Sequence, residues 1–197
     1  MRAQTRINAD LFLMVDETMG AAMNELDLQL IEPSESLRDE YIGFVNEIHE
    51  AGDPYIANEW EEVHRDFSAF VRRLRNHALG VDLPEGWIPA SSYWLVRQGR
   101  VVGACGLRHA LTEFLRDFGG HVTYGVRPSE RRKGYATFML RAMMNKAKTM
   151  GMDRVLLTCD ARNVTSAKVI MKCGGLLDSE SFSPAAGRVT RRYWIDL

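Results

Sequence analysis

Three cations stand directly before a glycine at the predicted start of a helix, in the stretch VRPSERRKGYATFML. The residues of interest there are Arg131, Arg132, Lys133, Gly134 and Ala136. A helix N-terminus carries partial positive charge, so a cation cluster there is unfavourable unless an anion joins it. Gly134 lets the backbone approach a ligand closely, and the backbone N–H groups of residues 132–137 can then donate to phosphate. The spacing Arg-x-x-Gly-x-Ala therefore predicts a polyphosphate site.

Two familiar nucleotide motifs are absent from the sequence. There is no G-x-x-x-x-G-K-[ST] stretch, which disfavours a P-loop, and no G-x-G-x-x-G after a strand, which disfavours a dinucleotide site. The phosphate group is therefore expected on a different kind of turn, between a strand and an amphipathic helix.

Strands and helices alternate around this turn in an order typical of an α+β (mixed α/β) domain. Apolar alternation predicts strands at residues 26–33, two within 93–108 joined at Gln98-Gly99, then 121–126, 154–160 and 187–197. Helical spacing predicts helices at residues 34–52, 58–79, 135–150 and 163–175. We predict one domain over residues 25–197, preceded by a helical or weakly ordered extension at 1–24, with Met23 as an alternative start.

The composition narrows the class of protein. The chain has 197 residues, 46% of them apolar and 26% charged, with a formal net charge of −1, so nothing global favours nucleic acid. Its three cysteines, Cys105, Cys159 and Cys173, have no zinc-like or disulfide-framework spacing, and no metal is expected. No export signal and no run of roughly 18 apolar residues is present, so we expect a cytoplasmic protein without a membrane partner.

The stretch VRPSERRKGYATFML resembles the acetyl-CoA-binding motif R/Q-x-x-G-x-G/A of the GNAT family of N-acetyltransferases. The strand RVLLTCD and the N-x-x-S opening of the next helix lie where that family places its next motif. The phrases YWLV, GGHVTYGVRPSERRKGYA and RRYWI further resemble a bacterial group of GNAT proteins of undefined substrate. The resemblance implies a single GNAT-type domain, with a mostly antiparallel twisted sheet, a splayed parallel pair of strands and flanking helices.

The resemblance also implies where the acetyl-CoA would bind as co-substrate. Its pyrophosphate would lie on the turn, and its pantetheine arm would pair with the strand that ends in Val126. A backbone N–H near residues 124–126 would polarise the thioester carbonyl. The implied cofactor-binding residues are Val126, Arg131, Arg132, Lys133, Gly134, Tyr135, Ala136, Thr137, Asn163 and Ser166.

The catalytic residues are less defined by the resemblance. Many GNAT enzymes carry a proton-donating tyrosine seven residues after the asparagine, and here that position is Ile170. The attacking amine must lose a proton, for which the local candidates are Tyr124, His121, Glu113 and His109, and Tyr193 is a candidate proton donor. Tyr124 and Val126 share one face of their strand, which is the face that the family uses, and His121 lies on the other.

The predicted function is transfer of an acetyl group from acetyl-CoA to a primary amine by direct attack in a ternary complex. The amine could be a small molecule or belong to a peptide, and the resemblance allows for a homodimer. Two alternatives stay open. A non-catalytic acyl-CoA-binding module would explain Ile170, and a nucleic-acid-binding protein could use the turn cations with Arg188, Arg191 and Arg192.

Overall fold

A computed structural model describes residues 28–53, 59–183 and 187–197, and within these ranges the strands form two antiparallel sheets. The predicted extension at residues 1–24, with its alternative start at Met23, lies outside the described residues. So do the first two residues of the strand predicted at 26–33.

The first sheet has four strands in the order β1-β2-β3-β4. They are β1 (Leu28–Ile31), β2 (Ala90–Arg97), β3 (Arg100–Arg108) and β4 (Val122–Val126). Gln98 and Gly99 both have positive φ, 50° and 78°, which is the backbone that a tight two-residue hairpin requires. The predicted hairpin within residues 93–108 is confirmed.

The second sheet contains one strand that was not predicted. It is built from β5 (Arg154–Asp160), β6 (Leu176–Ser183) and β7 (Arg188–Asp196) in the order β5-β7-β6. The sequence of β6, LLDSESFS, has no clear alternation, because the strand lies at the sheet edge with most of its side chains exposed. Burial on one face is what creates a period-two pattern, and β6 lacks it.

Two helices occupy the region where one was predicted at residues 58–79. After α1 (Arg38–Glu50), the chain forms α2 (Glu59–Arg65) and α3 (Phe67–Leu79). Asp66 between them is extended at φ −155°, and its carboxylate accepts from the N–H of Ala69 as an N-cap. The apolar spacing continues across this break, so periodicity alone could not reveal it.

The last two helices begin and end close to their predicted positions. A short 3₁₀ turn, Pro128–Glu130, leads from β4 to α4 (Tyr135–Thr149), and α5 (Val164–Lys172) follows β5. Asn163 caps α5 by accepting from the N–H of Ser166 at 3.0 Å, as its residue type predicts.

The first sheet separates two hydrophobic cores. On one face, Trp94, Val96 and Val101 pack with the apolar side chains of α1, α2 and α3. On the other, Tyr93, Cys105 and Leu107 pack with α4, α5 and the second sheet. This sandwich fixes β3 and β4 from both sides, and the site lies along these two strands.

The two sheets meet where β4 begins. The N–H of His121 donates to the carbonyl of Leu156 on β5 at 2.7 Å. At Gly120, where φ is +63°, a Cβ would stand 2.6 Å from that same carbonyl, so only glycine fits this approach. All strand pairs assigned within the described ranges are antiparallel, and the predicted parallel pair is not among them.

Two further observations concern the predictions about the membrane and the cysteines. None of the helices in the described ranges combines the length and the apolar character that crossing a bilayer demands. Cys105, Cys159 and Cys173 are all buried and free of disulfides.

Candidate active site

The predicted phosphate turn forms the N-terminus of α4. Gly134 is the N-cap residue at φ 83°, and no side chain caps the helix there. The first N–H groups of a helix have no partner within it, so those of Tyr135, Ala136 and Thr137 are placed to receive an anion. Arg132 also has positive φ, 65°, which gives the turn its tight curvature.

The cations of the turn differ in their surroundings. Arg131 donates to the carboxylate of Asp53 at 3.2 Å and to the carbonyl of Val126 at 3.3 Å. Lys133 donates to Glu130 at 2.7 Å. The side chains of Arg131, Arg132 and Lys133 are all exposed, so these surface contacts leave them accessible to an anion.

A buried arginine anchors the turn to α1. Arg127 donates from Nε to Glu47 at 2.6 Å and from a terminal nitrogen to Glu40 at 3.3 Å and to the carbonyl of Val101 at 3.1 Å. Burial raises the pKa of Glu47, but the hydrogen bonds from Arg127 and Ser129 outweigh it and hold that pKa at about 2. Glu47 is therefore ionised at neutral pH, and the turn is held in place.

Two of the turn residues named in the prediction point their side chains into the interior. Tyr135 is buried, and its hydroxyl accepts from Arg97 at 3.1 Å. Thr137 is also buried. Only their backbone N–H groups can face a ligand at the helix end.

The structure brings Tyr124 and Ser166 together. The Tyr124 hydroxyl lies 2.9 Å from the Ser166 hydroxyl, so a hydrogen bond joins β4 to the first turn of α5. Ile170 is buried one helical turn beyond Ser166, on the same side of α5. The Tyr124 hydroxyl thus reaches the helix face on which the family's tyrosine would stand.

A cavity of about 420 Å³ opens beside β3 and β4. Its lining includes Thr123, Tyr124 and Gly125 from β4 and Ala104, Gly106 and Arg108 from β3. Tyr124 is the one predicted catalytic or cofactor residue among the residues that line it. The turn and the cavity lie on the same strand, since β4 carries Tyr124 in the cavity wall and Val126 beside the turn.

The contacts of the His121 ring are structural. Its Nδ1 accepts from the backbone N–H of Leu156 at 2.8 Å, so the lone pair of that nitrogen is already engaged. Burial, with the charges of Arg116 and Arg108, lowers the pKa of His121 to about 4. This geometry disfavours His121 as a base, because its ring links the two sheets.

The other catalytic candidates lie away from the cavity. Glu113 is exposed, and although its neighbours Phe114 and Leu115 line the cavity, Glu113 does not. Tyr193 is buried in the core of the second sheet, opposite Leu157. His109 is half-buried and hydrogen-bonded to Ser91 at 2.8 Å. The structure therefore brings none of these three side chains to the cavity.

A carboxylate that was not predicted as catalytic does line the cavity. Glu59, the first residue of α2, accepts from the Tyr41 hydroxyl at 2.7 Å. Burial raises the pKa of Glu59, and the hydrogen bond from Tyr41 and the charge of Arg73 offset that rise only in part. In the sequence, Glu59, Glu61, Glu62 and Asp66 could attract a cationic amine, but a solvated helix face explains their pattern equally well.

No metal-binding cluster accompanies this carboxylate. Within residues 28–53, 59–183 and 187–197, no three His, Cys, Asp or Glu side chains are grouped so that they could hold an ion.

Comparison with known families gives this geometry its context. A family model described as an acetyltransferase (GNAT) domain matches residues 37–175, which include the turn, Tyr124 and Glu59. The chain belongs to the GNAT acetyltransferase family. It is therefore an acyltransferase by family, and its α+β fold is the GNAT fold. No curated protein matches the sequence.

Solved structures share the fold of this GNAT protein at low identity. RimL, a ribosomal L7/L12 α-N-protein acetyltransferase in complex with coenzyme A, is 16% identical with a TM-score of 0.65, covering 87% of this chain and 94% of its own. RimJ from Mycobacterium smegmatis, with a CoA disulfide, is 15% identical with a TM-score of 0.67, covering 86% and 81%. The microcin C7 self-immunity acetyltransferase MccE, with acetyl-CoA and AMP, is 12% identical with a TM-score of 0.60, covering 87% and 93%.

Proposed function

We propose that this GNAT protein transfers the acetyl group of acetyl-CoA to a primary amine, by direct attack in a ternary complex. The observation that carries the proposal is the turn at the N-terminus of α4, with its uncapped backbone N–H groups behind Gly134 and exposed cations before it. RimL and MccE, which have the same fold, were solved with coenzyme A and acetyl-CoA.

The proposed cofactor path runs from this turn along β4. The pyrophosphate lies on the N–H groups of residues 135–137, with Arg131, Arg132 and Lys133 around it. The pantetheine arm pairs with β4 up to Val126 and passes Asn163 and Ser166. We propose that the pantetheine arm occupies a gap between β4 and β5. In this proposal the two strands run parallel and splay apart beyond the single backbone hydrogen bond from His121 to Leu156.

The proposed reaction uses Tyr124 as proton donor. The amine nitrogen attacks the thioester carbonyl carbon, whose oxygen is polarised by a backbone N–H of residues 124–126. The C–S bond then breaks, and the Tyr124 hydroxyl protonates the departing thiolate. The contact between Tyr124 and Ser166, one turn from Ile170, supports this role. Holding both substrates in one cleft supplies much of the rate.

Acetyl-CoA binding by calorimetry tests the cofactor site. We expect micromolar binding by the wild type and its loss in Arg131→Ala/Gly134→Asp, because bulk and negative charge then occupy the phosphate position. Gly151→Asp is the matched control, since Gly151 has a similar φ of +78° at the other end of α4 with nothing within 4 Å of its missing Cβ. Equal affinity in all three folded proteins would contradict the assignment.

A non-catalytic acyl-CoA-binding module is the second candidate. The buried Ile170 in place of a tyrosine is the observation that favours it. Acetyl-CoA binding without coenzyme A release across a broad amine panel would support the binding module, and any amine-dependent release would exclude it.

A homodimer and a single domain over residues 25–197 remain part of the proposal. The edge strand β6 exposes Leu176, Leu177 and Phe182, which is an apolar surface on which a second copy could pair its own β6. Sedimentation equilibrium of the wild type against Leu177→Glu distinguishes a dimer across β6 from a monomer.

A further inference from the structure

The floor of the cavity lies on one face of the first sheet, and most of its residues are small. Trp94, Ala104 and Gly125 are register partners across β2, β3 and β4, and so are Ser92, Gly106 and Thr123. Side chains alternate along a strand, so Ala104, Gly106 and Arg108 of β3 point to the same face. Two small residues followed by an arginine therefore leave an open trough with a cation at one end.

The opposite end of the trough carries a carboxyl group. The Glu59 carboxylate lines the cavity and is fixed by Tyr41, whose ring stacks on Trp94 at a centroid distance of 4.0 Å. Burial and the neighbouring Glu59 raise the pKa of Tyr41 well above its usual value, so Tyr41 stays a hydrogen-bond donor. Trp94 faces Ala104, which places Glu59 at the Ala104 end of the trough.

The cationic end is equally well fixed. Arg108 lines the cavity, and one of its terminal nitrogens donates to the carbonyls of Gly119 and Gly120 at 2.9 Å each. Arg188 lines the cavity too, with its guanidinium 3.9 Å from Asp160. Ala104 and Arg108 are four residues apart on a strand, so their Cα atoms are separated by about 13 Å.

Part of the cavity wall is apolar. Phe114, Leu115 and Phe118, from the connection between β3 and β4, line the cavity. These side chains favour contact with a hydrocarbon chain over contact with a polar linker.

We propose that the acceptor is a primary amine joined by an aliphatic spacer to an anionic group, with its amine at Glu59 and its anion at Arg108. This inference rests on the proposed acetyl transfer. An ω-amino acid has this chemistry, and a spacer of several methylene groups is of the order of the roughly 13 Å between the Cα atoms of Ala104 and Arg108.

Proton balance gives Glu59 a step in the reaction. Its carboxylate takes one proton from the ammonium group and later returns it to solvent, which leaves a neutral amine. The nitrogen bonds to the carbonyl carbon as the C–S bond breaks. The second proton that the nitrogen loses replaces the one that Tyr124 gives to sulfur, so the products are an amide and coenzyme A thiol.

Paired acceptors test the anionic end. The probes are ω-amino acids with two to six methylene groups and their neutral primary amides, compared by kcat/KM for coenzyme A release. We expect the wild type to prefer an acid over its amide by at least tenfold at the best length. Arg108→Gln should reduce this preference to about unity, and Arg108→Lys should retain part of it.

Two results would overturn the proposed acceptor class. One is equal use of acids and amides by the wild type at every length, and the other is an unchanged preference in a folded Arg108→Gln. If no amine is acetylated, calorimetry measures the binding of the acids and their amides to the coenzyme A-saturated protein, which tests the acceptor class without acetyl transfer. Binding of an acid but not its amide keeps the acceptor class while acetyl transfer fails, and binding of neither contradicts the acceptor class as well.

Glu59→Gln tests the amine end. We expect kcat/KM to fall about 100-fold at pH 7, and the deficit to shrink as rising pH deprotonates the free amine. Glu61→Gln is the matched control, because Glu61 is an exposed carboxylate on the same helix. The groups that act on the Glu59 charge are Tyr41 of α1, Glu62 of α2 and Arg73 of α3. A pH-independent deficit, or an equal loss in both variants, would overturn the role of Glu59.

Discussion

At the residue scale, removal of the Tyr124 hydroxyl should affect the chemical step and leave acetyl-CoA binding nearly unchanged. We predict that Tyr124→Phe lowers kcat about 10- to 100-fold, because the thiolate loses its proton donor, while the Kd for acetyl-CoA changes by less than about twofold. The measurement is coenzyme A release with the best amine of the acceptor panel, beside calorimetry for acetyl-CoA.

Tyr193→Phe is the comparison for that variant. Tyr193 was the other tyrosine candidate, but it lies in the core of the second sheet, so its loss of one hydroxyl should leave kcat near that of the wild type. A larger loss of kcat in Tyr193→Phe than in Tyr124→Phe would reverse the assignment.

The sequence predicted backbone features well where a local rule applied. The helix start at Gly134 and the Asn163 cap follow from residue type and position along one stretch of chain. Glu59 could not be predicted in this way. A carboxylate on an amphipathic helix has the same pattern whether water or a cavity surrounds it, and only the packing of α2 over the first sheet decides which.

At the scale of elements, His121 links the two sheets. Its ring must be neutral for Nδ1 to accept the hydrogen bond from the backbone N–H of Leu156. Its folded pKa of about 4 lies below the ordinary value of 6.5, so the unfolded chain binds the proton more tightly between these limits. We predict that the stability due to His121 is fully present above pH 6.5 and is lost as pH falls towards 4. The loss should be about 2 kcal/mol after allowance for solvent screening.

Urea unfolding at a series of pH values measures this effect. His121→Gln should be less stable at pH 7 and should show a shallower fall in unfolding free energy from pH 6.5 to 4. His64→Gln, a change at an exposed histidine on α2, should keep the wild-type slope. Identical slopes in all three proteins would show that the His121 ring does not carry the pH dependence.

Elements that pack on a core were predictable, and the exposed strand was not. The apolar spacing of α4 arises because one of its faces packs on a core, and the apolar runs of β2 and β3 arise because both faces of the first sheet do. The edge strand β6 has mostly exposed side chains, so its sequence carried no signal. The break at Asp66 was hidden because α2 and α3 contribute to the same core and keep one apolar stripe.

At the scale of the whole molecule, charge pairing weakens the nucleic-acid alternative. Three of the cations that it would use already face carboxylates: Arg188 with Asp160, Arg191 with Glu180 and Arg192 with Asp117. With a net charge of −1, the molecule offers little counterion release on a phosphate backbone. Its lack of nucleic-acid binding stays a prediction.

We predict that a chain beginning at Met23 folds cooperatively and binds acetyl-CoA within about twofold of the full chain. The reason is that the residues described for both cores, the turn and the cavity all lie from Leu28 onward. Thermal unfolding and calorimetry measure the two properties. A chain beginning at Pro33 is the contrast: it lacks β1, which pairs with β2 and buries Leu28, and should be less stable. Loss of binding in the Met23 chain would place part of the site before that residue.

The burial of all three cysteines has a practical outcome for enzymology. Burial raises the pKa of each thiol, and the thiolate is the form that attacks a disulfide reagent. In the folded protein these thiols should therefore not react with a chromogenic disulfide reagent. Any colour that develops during turnover then reports coenzyme A alone, so acceptor screens can run continuously and without a correction for the protein.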